Sequence, residues 1–357
     1  MTTPRTKLVG LIESSKVLDE LHKFQVSVLV PQPKDKPFQP LVYARTTDTI
    51  ALALAQFRNH NVVSLPIFDT TKGKFVAIIN VMDVMRYMLL RNFYQIDPMY
   101  KEELAKLYES KIEDVIGAVA SNRPFRVYHV TDPLLVALRG MGAGGENFYG
   151  NLVSFADQER VESDVQQALI ATQWDAINLL LNNDVVRCHG NLDTLPAKQV
   201  MQRAWITFTK KDDPNQPVHR LPNASGRSTY VVSVVKDVSA FNAFRTMSVH
   251  HVSSVAVVDK SDYTIKLVDN LSASDIRFIT ADNLADGFLE VTEFLKKVRG
   301  HSRKPVSCDE NTPLAQIMKM ALDNNIHRVW VTEDNTDKPI GLVSMSDMLE
   351  MIIGVST

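Results

Sequence analysis

Residues 325–351, NIHRVWVTEDNTDKPIGLVSMSDMLEM, decide how the rest of the chain reads. The apolar run IHRVWVT ends in the turn-rich EDNTDKP, IGLVS is a second apolar run, and SDMLEMI continues at helical spacing. The expectation is strand, hairpin, strand, helix. Ser344 then closes the second strand and Asp347 opens the helix, where free backbone N–H groups and the positive dipole end favour an anionic group. Two roles stay open for Asp347: a helix cap, or an acceptor for two vicinal hydroxyls through its two carboxylate oxygens. His327 and Arg328 on the neighbouring strand supply hydrogen-bond donors, and Arg328 adds a permanent charge suited to phosphate.

The same pattern recurs. AIINVMD ends at Asp83, DNLSASD at Asp275 and GLVSMSD at Asp347, each a hydrophobic strand, a small polar residue, two spacers and Asp. A fourth, eroded copy is read in ERVESD, ending at Asp164 after the apolar NLVSFA. A helix precedes each strand pair, in TDTIALALAQFRNHN, TDPLLVALRGMG, DVSAFNAFRTMSVHH and NTPLAQIMKMALDNN. The helix start lies 34 positions before the Asp from Thr49 to Asp83, 32 from Asp132 to Asp164, 36 from Ser239 to Asp275 and 35 from Thr312 to Asp347. Such agreement marks an internal repeat. Short helices in KVLDEL, KIEDVI, PAKQVM and EVTEFL lead into the four units.

These residues resemble four cystathionine-beta-synthase (CBS) repeats, and HRVWV…GLVSMSD is especially similar to the last repeat of the gamma subunits of AMP-activated protein kinase. The likeness also extends to divergent four-repeat relatives from plants and fungi. It implies an α+β fold of four β-α-β-β-α repeats, paired into two Bateman modules that form a disc-like assembly. Their expected bounds are 16–92, 110–183 (degenerate), 196–282 and 291–355. It also implies an adenine-nucleotide ligand (AMP, ADP or ATP), with Asp347 and Asp275 holding ribose and Ser344, Ser346, Ser272 and Ser274 lining the same corners. Asp83 and Asp164 would be the matching carboxylates of the first two repeats. Thr312 and Val306 would border the adenine, and His327 and Arg328 would meet phosphate. The implied partners are a kinase catalytic subunit and a beta-like scaffold. Val63 and Ser64 stand where the fourth repeat has His327 and Arg328, so the first repeat lacks that charge; Ser253 and Ser254 stand there in the third.

The chain has 357 residues, enough for about two ordinary domains, and two pairs of repeats fill them. With 39 basic and 41 acidic residues it offers no general attraction to nucleic acid or an anionic membrane. Two cysteines, Cys188 and Cys308, are too few for a disulfide framework or a structural zinc site. The opening residues lack the apolar core of a signal peptide, and no run reaches the roughly 18 apolar residues of a membrane span. A cytosolic or nuclear protein without a cofactor is expected.

An enzyme is not expected. No nucleophile and base stand at motif spacing, and there is no HExxH, paired CxxC, kinase glycine loop or Walker sequence. The glycines of RGMGAGGENFYG follow a helix and lack a Gly-Lys-Ser/Thr ending, so they read as a loop. QQALIATQWDAINLLL, after Asp164, reads as a helix with its apolar stripe at Leu169, Ile170, Trp174, Ile177 and Leu181. TFTKKDDPNQPVHRLPNASGRST reads as a polar, basic surface loop, with Lys210, Lys211, His219 and Arg220. Two functional classes remain: a nucleotide-binding regulatory subunit, or a four-repeat adaptor that has lost its ligand.

Overall fold

A computed structural model describes residues 14–30, 40–91, 101–120, 125–141, 151–156, 162–201, 205–209, 230–250, 252–260, 264–301, 304–333 and 336–354. The glycine-rich loop from residue 142 and the basic loop from residue 210 lie outside these residues.

Four small sheets carry the repeat. The first holds β1 (Ala44–Arg45), β2 (Ser64–Asp69) and β3 (Lys74–Asn80), the second β4 (Val127–His129), β5 (Asn151–Ser154) and β6 (Ala168–Ala171). The third has four strands, β7 (Trp205–Thr209), β8 (Tyr230–Val235), β9 (Ser254–Lys260) and β10 (Ile265–Ser272). The last holds β11 (Ser307–Cys308), β12 (Arg328–Thr332) and β13 (Pro339–Ser344). In every sheet a parallel pair is joined through a crossover helix, and an antiparallel strand completes the unit. The crossover helices are α2 (Ile50–Asn59), α6 (Leu134–Met141), α10 (Ala240–Val249) and α12 (Leu314–Asp323). Hydroxyls start two of them: Thr49 accepts from the Leu52 N–H and Ser239 from the Asn242 N–H.

The helices that follow the third strands are α3 (Val81–Arg91), α7 (Gln173–Leu181) and α13 (Met345–Ile353). In the third unit this helix is a short 3-10 turn, Ala273–Phe278. Two readings are corrected here. Leu169 and Ile170 lie on β6, so the expected continuous helix after Asp164 is a strand followed by α7. Thr207–Thr209, expected to open a loop, belong to the edge strand Trp205–Thr209, parallel to β8. The apolar VSVLV (residues 26–30) forms a 3-10 turn at Val26–Val28, whose N–H groups reach the carbonyls of Asp132 and Val130.

The leading helices cross over. α1 (Ser14–Leu21) precedes the first sheet, yet Val17, Leu21 and Val26 join the core of the second and fourth units, and Gln25 bridges to Pro133. α5 (Ile112–Val115), after α4 (Lys101–Leu107), precedes the second sheet yet packs on the first, with Lys111 bridging to Thr49. α8 (Asp184–His189) ends the second unit. α9 (Ala197–Val200) then bridges through Pro196 to Pro313 of the fourth unit, and α11 (Val291–Arg299) bridges through Glu290 to Ser239 of the third. Each compact unit is therefore discontinuous in sequence.

Sheets pair face to face within each half of the chain. Phe75, Ile78, Val127, Leu152 and Ala168 join the first two units; Val231, Ala256, Val258, Leu267 and Trp330 join the last two. Helices join the halves: one core unites the first and third units, the other the second and fourth. The Arg277 guanidinium seals the former junction, donating to the carbonyls of Phe57 and Val62 where α2 ends.

Candidate functional site

The corner expected at Ser344 and Asp347 forms as a capping box. Ser344 N–H and Oγ–H both donate to Asp347 Oδ2, at 2.8 and 2.6 Å, and Asp347 N–H donates to Ser344 Oγ at 3.2 Å. Ser344 lies in register with Arg328 across the antiparallel ladder, so the two side chains leave the sheet on the same face. The Arg328 guanidinium reaches into the third unit, donating to Ser253 O at 3.2 Å and Ser253 Oγ at 2.9 Å. The corner is thus built at the junction of two repeats.

The same construction recurs elsewhere. Met345 N–H donates to His327 O, Ala273 N–H to Ser253 O and Val81 N–H to Val63 O, which makes these three corners structurally equivalent. In the first, Asn80 replaces the cap hydroxyl: its N–H donates to Asp83 Oδ2 and its Oδ1 accepts from the Asp83 N–H. Asp83 is fully buried there. In the third, Ser272 N–H donates to Asp275 Oδ2 at 2.8 Å, while Ser274 Oγ–H donates to Ser272 Oγ.

The second repeat requires a correction. Asp164 caps the short turn Val165–Gln167, one strand too early. The equivalent carboxylate is Asp175, which receives Thr172 N–H at 2.8 Å and Thr172 Oγ–H at 2.6 Å, as Asp347 receives Ser344. The signal was present in ALIATQWD, whose Thr, two spacers and Asp match the pattern of the other units. Asp175 is half-buried, unlike the buried Asp83, Asp275 and Asp347.

Ser346 does not face the corner's cap. Its Oγ accepts from Gln173 Nε2 at 2.8 Å, and the same nitrogen reaches Met141 O, so this serine ties the fourth unit to the second. Val306 accepts from the Trp330 N–H, and Thr312 is buried with its carbonyl accepting from the Ala197 N–H; both stand on the approach to α12. An open cleft of about 650 Å³ lies elsewhere, between α7 and α12, lined by residues including Trp174, Asn178 and Lys319. It holds none of the expected corner residues, so its size does not bear on them.

His327 is partly buried, and burial, then the charge of Arg328, pulls its imidazole down to about 4. At neutral pH it is uncharged, so of this pair Arg328 alone offers a phosphate a full charge. A stability consequence follows. Below about pH 6.5 the unfolded chain takes up a proton that folded His327 resists, so stability is lost as pH falls towards about 4. Discounted for partial exposure, the loss is about 2 kcal/mol. Urea midpoints at about pH 7 and about pH 4.5 should lie closer together in His327→Gln than in the parent; an unchanged gap would place the acid sensitivity elsewhere.

A family profile described as CBS domain matches residues 35–90 and 295–354. These two regions carry CBS domains. Over 138 residues it is 23% identical to an Arabidopsis thaliana protein, SNF1-related protein kinase regulatory subunit gamma-1, covering 35% of this chain and 32% of that one. A second Arabidopsis thaliana protein, SNF1-related protein kinase regulatory subunit gamma-like PV42b, is 24% identical over 156 residues, or 38% and 43%. The chain thus spans less than half the length of each of these relatives. A crystal structure from Methanocaldococcus jannaschii, described as that of a proposed archaeal homolog of g-AMPK, shares the fold across 91% of this chain and 99% of its own, with TM-score 0.61 and 16% identity. The α+β fold is therefore shared along nearly the whole chain. No described helix is long and apolar enough to cross a membrane.

Proposed function

We propose that this CBS protein is a regulatory subunit that binds an adenine nucleotide at the fourth repeat and reports it to a protein kinase. The carrying observation is the register of Arg328 with Ser344, the residue whose N–H donates to Asp347, which brings an arginine and a carboxylate at a helix start onto neighbouring positions of one repeat. In this reading Asp347 accepts the ribose hydroxyls, Arg328 meets phosphate, Val306 and Thr312 border the base, and Ser253 supplies the third repeat's share. The continuous ranges 16–92, 110–183, 196–282 and 291–355 are its repeats in sequence. Charge-assisted hydrogen bonds of about 1.5–3 kcal/mol each, with a packed base, suffice for the roughly 8 kcal/mol of a micromolar site.

Such a ligand regulates only if the active and inactive assemblies bind it with different affinity. The kinase catalytic subunit and beta-like scaffold belong to this reading through the gamma-subunit likeness. Calorimetric titration of the purified chain with AMP and ATP tests it directly. Saturable micromolar binding is expected; no heat and no thermal stabilisation with either nucleotide would discard the ligand. Affinity capture that never recovers a kinase subunit would discard the partner.

A ligand-free adaptor is the second reading. It is favoured by Asp83, which is fully buried, and by Asp275, which is engaged by an arginine.

A further inference from the structure

Arg299 is the last residue of α11, within a basic turn that also holds Lys296 and Lys297. Its position invites a dipole explanation, because positive charge is favourable at a helix C-terminus. The contacts show a more specific task. Arg299 Nη1 donates to Asp269 Oδ1 at 2.8 Å, and Nη2 donates to Asn270 O at 2.8 Å and to Asp275 Oδ2 at 2.9 Å. Both carboxylates are buried, while the arginine side chain that binds them is 23% exposed.

Comparison with the other corners sharpens this. In the second and fourth units the capping hydroxyl, Thr172 or Ser344, gives the carboxylate its second hydrogen bond. In the third, Ser272 Oγ accepts from Ser274, and Arg299 takes that place. The crossing of the leading helices makes this possible, because α11 packs on the third unit although its chain continues into the fourth. A planar guanidinium spanning three acceptors is hard to displace, since removing it leaves two buried carboxylates without their cation.

We propose that Arg299 is the resident occupant of the third repeat's corner, a specificity-determining residue that denies Asp275 to a ligand's hydroxyls and confines nucleotide binding to other corners. This rests on the nucleotide reading for the identity of the excluded ligand. It also explains why the third repeat can retain the Ser-x-x-Asp pattern without an open site.

The test is calorimetric titration of the full chain with AMP and with 2′,3′-dideoxy-AMP, in the parent, Asp275→Asn, Arg299→Met and Arg299→Met/Asp275→Asn. Parent binding should be unchanged by Asp275→Asn. Arg299→Met should gain one saturable AMP site per chain, at least about tenfold weaker for the dideoxy nucleotide and absent from the double variant. A folded Arg299→Met with the parent's stoichiometry would overturn the proposal, as would loss of parent binding in Asp275→Asn. If Arg299→Met fails to fold, Arg299→Lys replaces it: the ammonium keeps the charge but not the planar three-acceptor fork. It should admit AMP at the added site, and parent stoichiometry in that folded variant counts against the proposal. Absence of binding in the parent would sink the nucleotide reading alone, since the gain on opening the corner is scored separately.

Discussion

Asp347→Ala is expected to weaken AMP binding about tenfold or more and to lower stability by about 1–2 kcal/mol. The two effects have separate origins. The carboxylate receives both the N–H and the hydroxyl of Ser344, so truncation strips the start of α13 of its cap. In the proposed nucleotide reading the affinity loss comes instead from the ribose acceptor. Ser344→Ala separates them: it removes the hydroxyl but leaves Asp347 the Ser344 N–H, so stability should fall by about 1 kcal/mol while AMP affinity stays near the parent's. Urea unfolding and calorimetric titration of both variants decide the matter. Equal affinity in Asp347→Ala and the parent would reduce Asp347 to a cap.

Trp330→Ala is expected to cost about 4 kcal/mol in urea unfolding, among the largest effects of any single truncation in the chain. Trp330 is 2% exposed and sits between the third and fourth units with Val231, Ala256, Val258 and Leu267. Its indole N–H donates to Asn270 Oδ1 at 3.1 Å, and Asn270 O is one of the acceptors of Arg299. Trp330→Phe keeps most of the apolar contact and strands the Asn270 side chain, so about 1–2 kcal/mol is expected. A ratio near one between the two losses would show that the hydrogen bond, rather than the packing, holds the seam.

Much of this was legible because the corners are local. A strand, a small polar residue, two spacers and an Asp are contiguous in sequence, and the same short hydrogen bonds that build the cap select those residues. The second repeat misled for the same reason. ERVESD offers a capping Asp of its own, and Asp164 does cap a turn, so the local chemistry was satisfied one strand before Thr172 and Asp175. Ser346 shared the pattern of its neighbours, but the partner that claims it, Gln173, lies 173 positions away. The task of Arg299 left no mark in the sequence because nothing in α11 reveals that the helix packs on the preceding unit. The partial burial of His327 was equally invisible, since a histidine just before a strand has no sequence mark of its solvation.

The crossing of the leading helices sets the smallest piece into which the chain can be cut. A fragment ending after α3 would carry α1, whose apolar face belongs to the second unit, and would lack α5, which closes its own core. Both exposed faces would invite association, and neither could be cured by adjusting the cut site. Each half must instead assemble as an interlocked pair, with contacts closing over long stretches of chain before either sheet is covered, which predicts slow folding for so small a repeat. The same interlock makes the halves hard to peel apart one repeat at a time, so mechanical or proteolytic failure should come in steps of two.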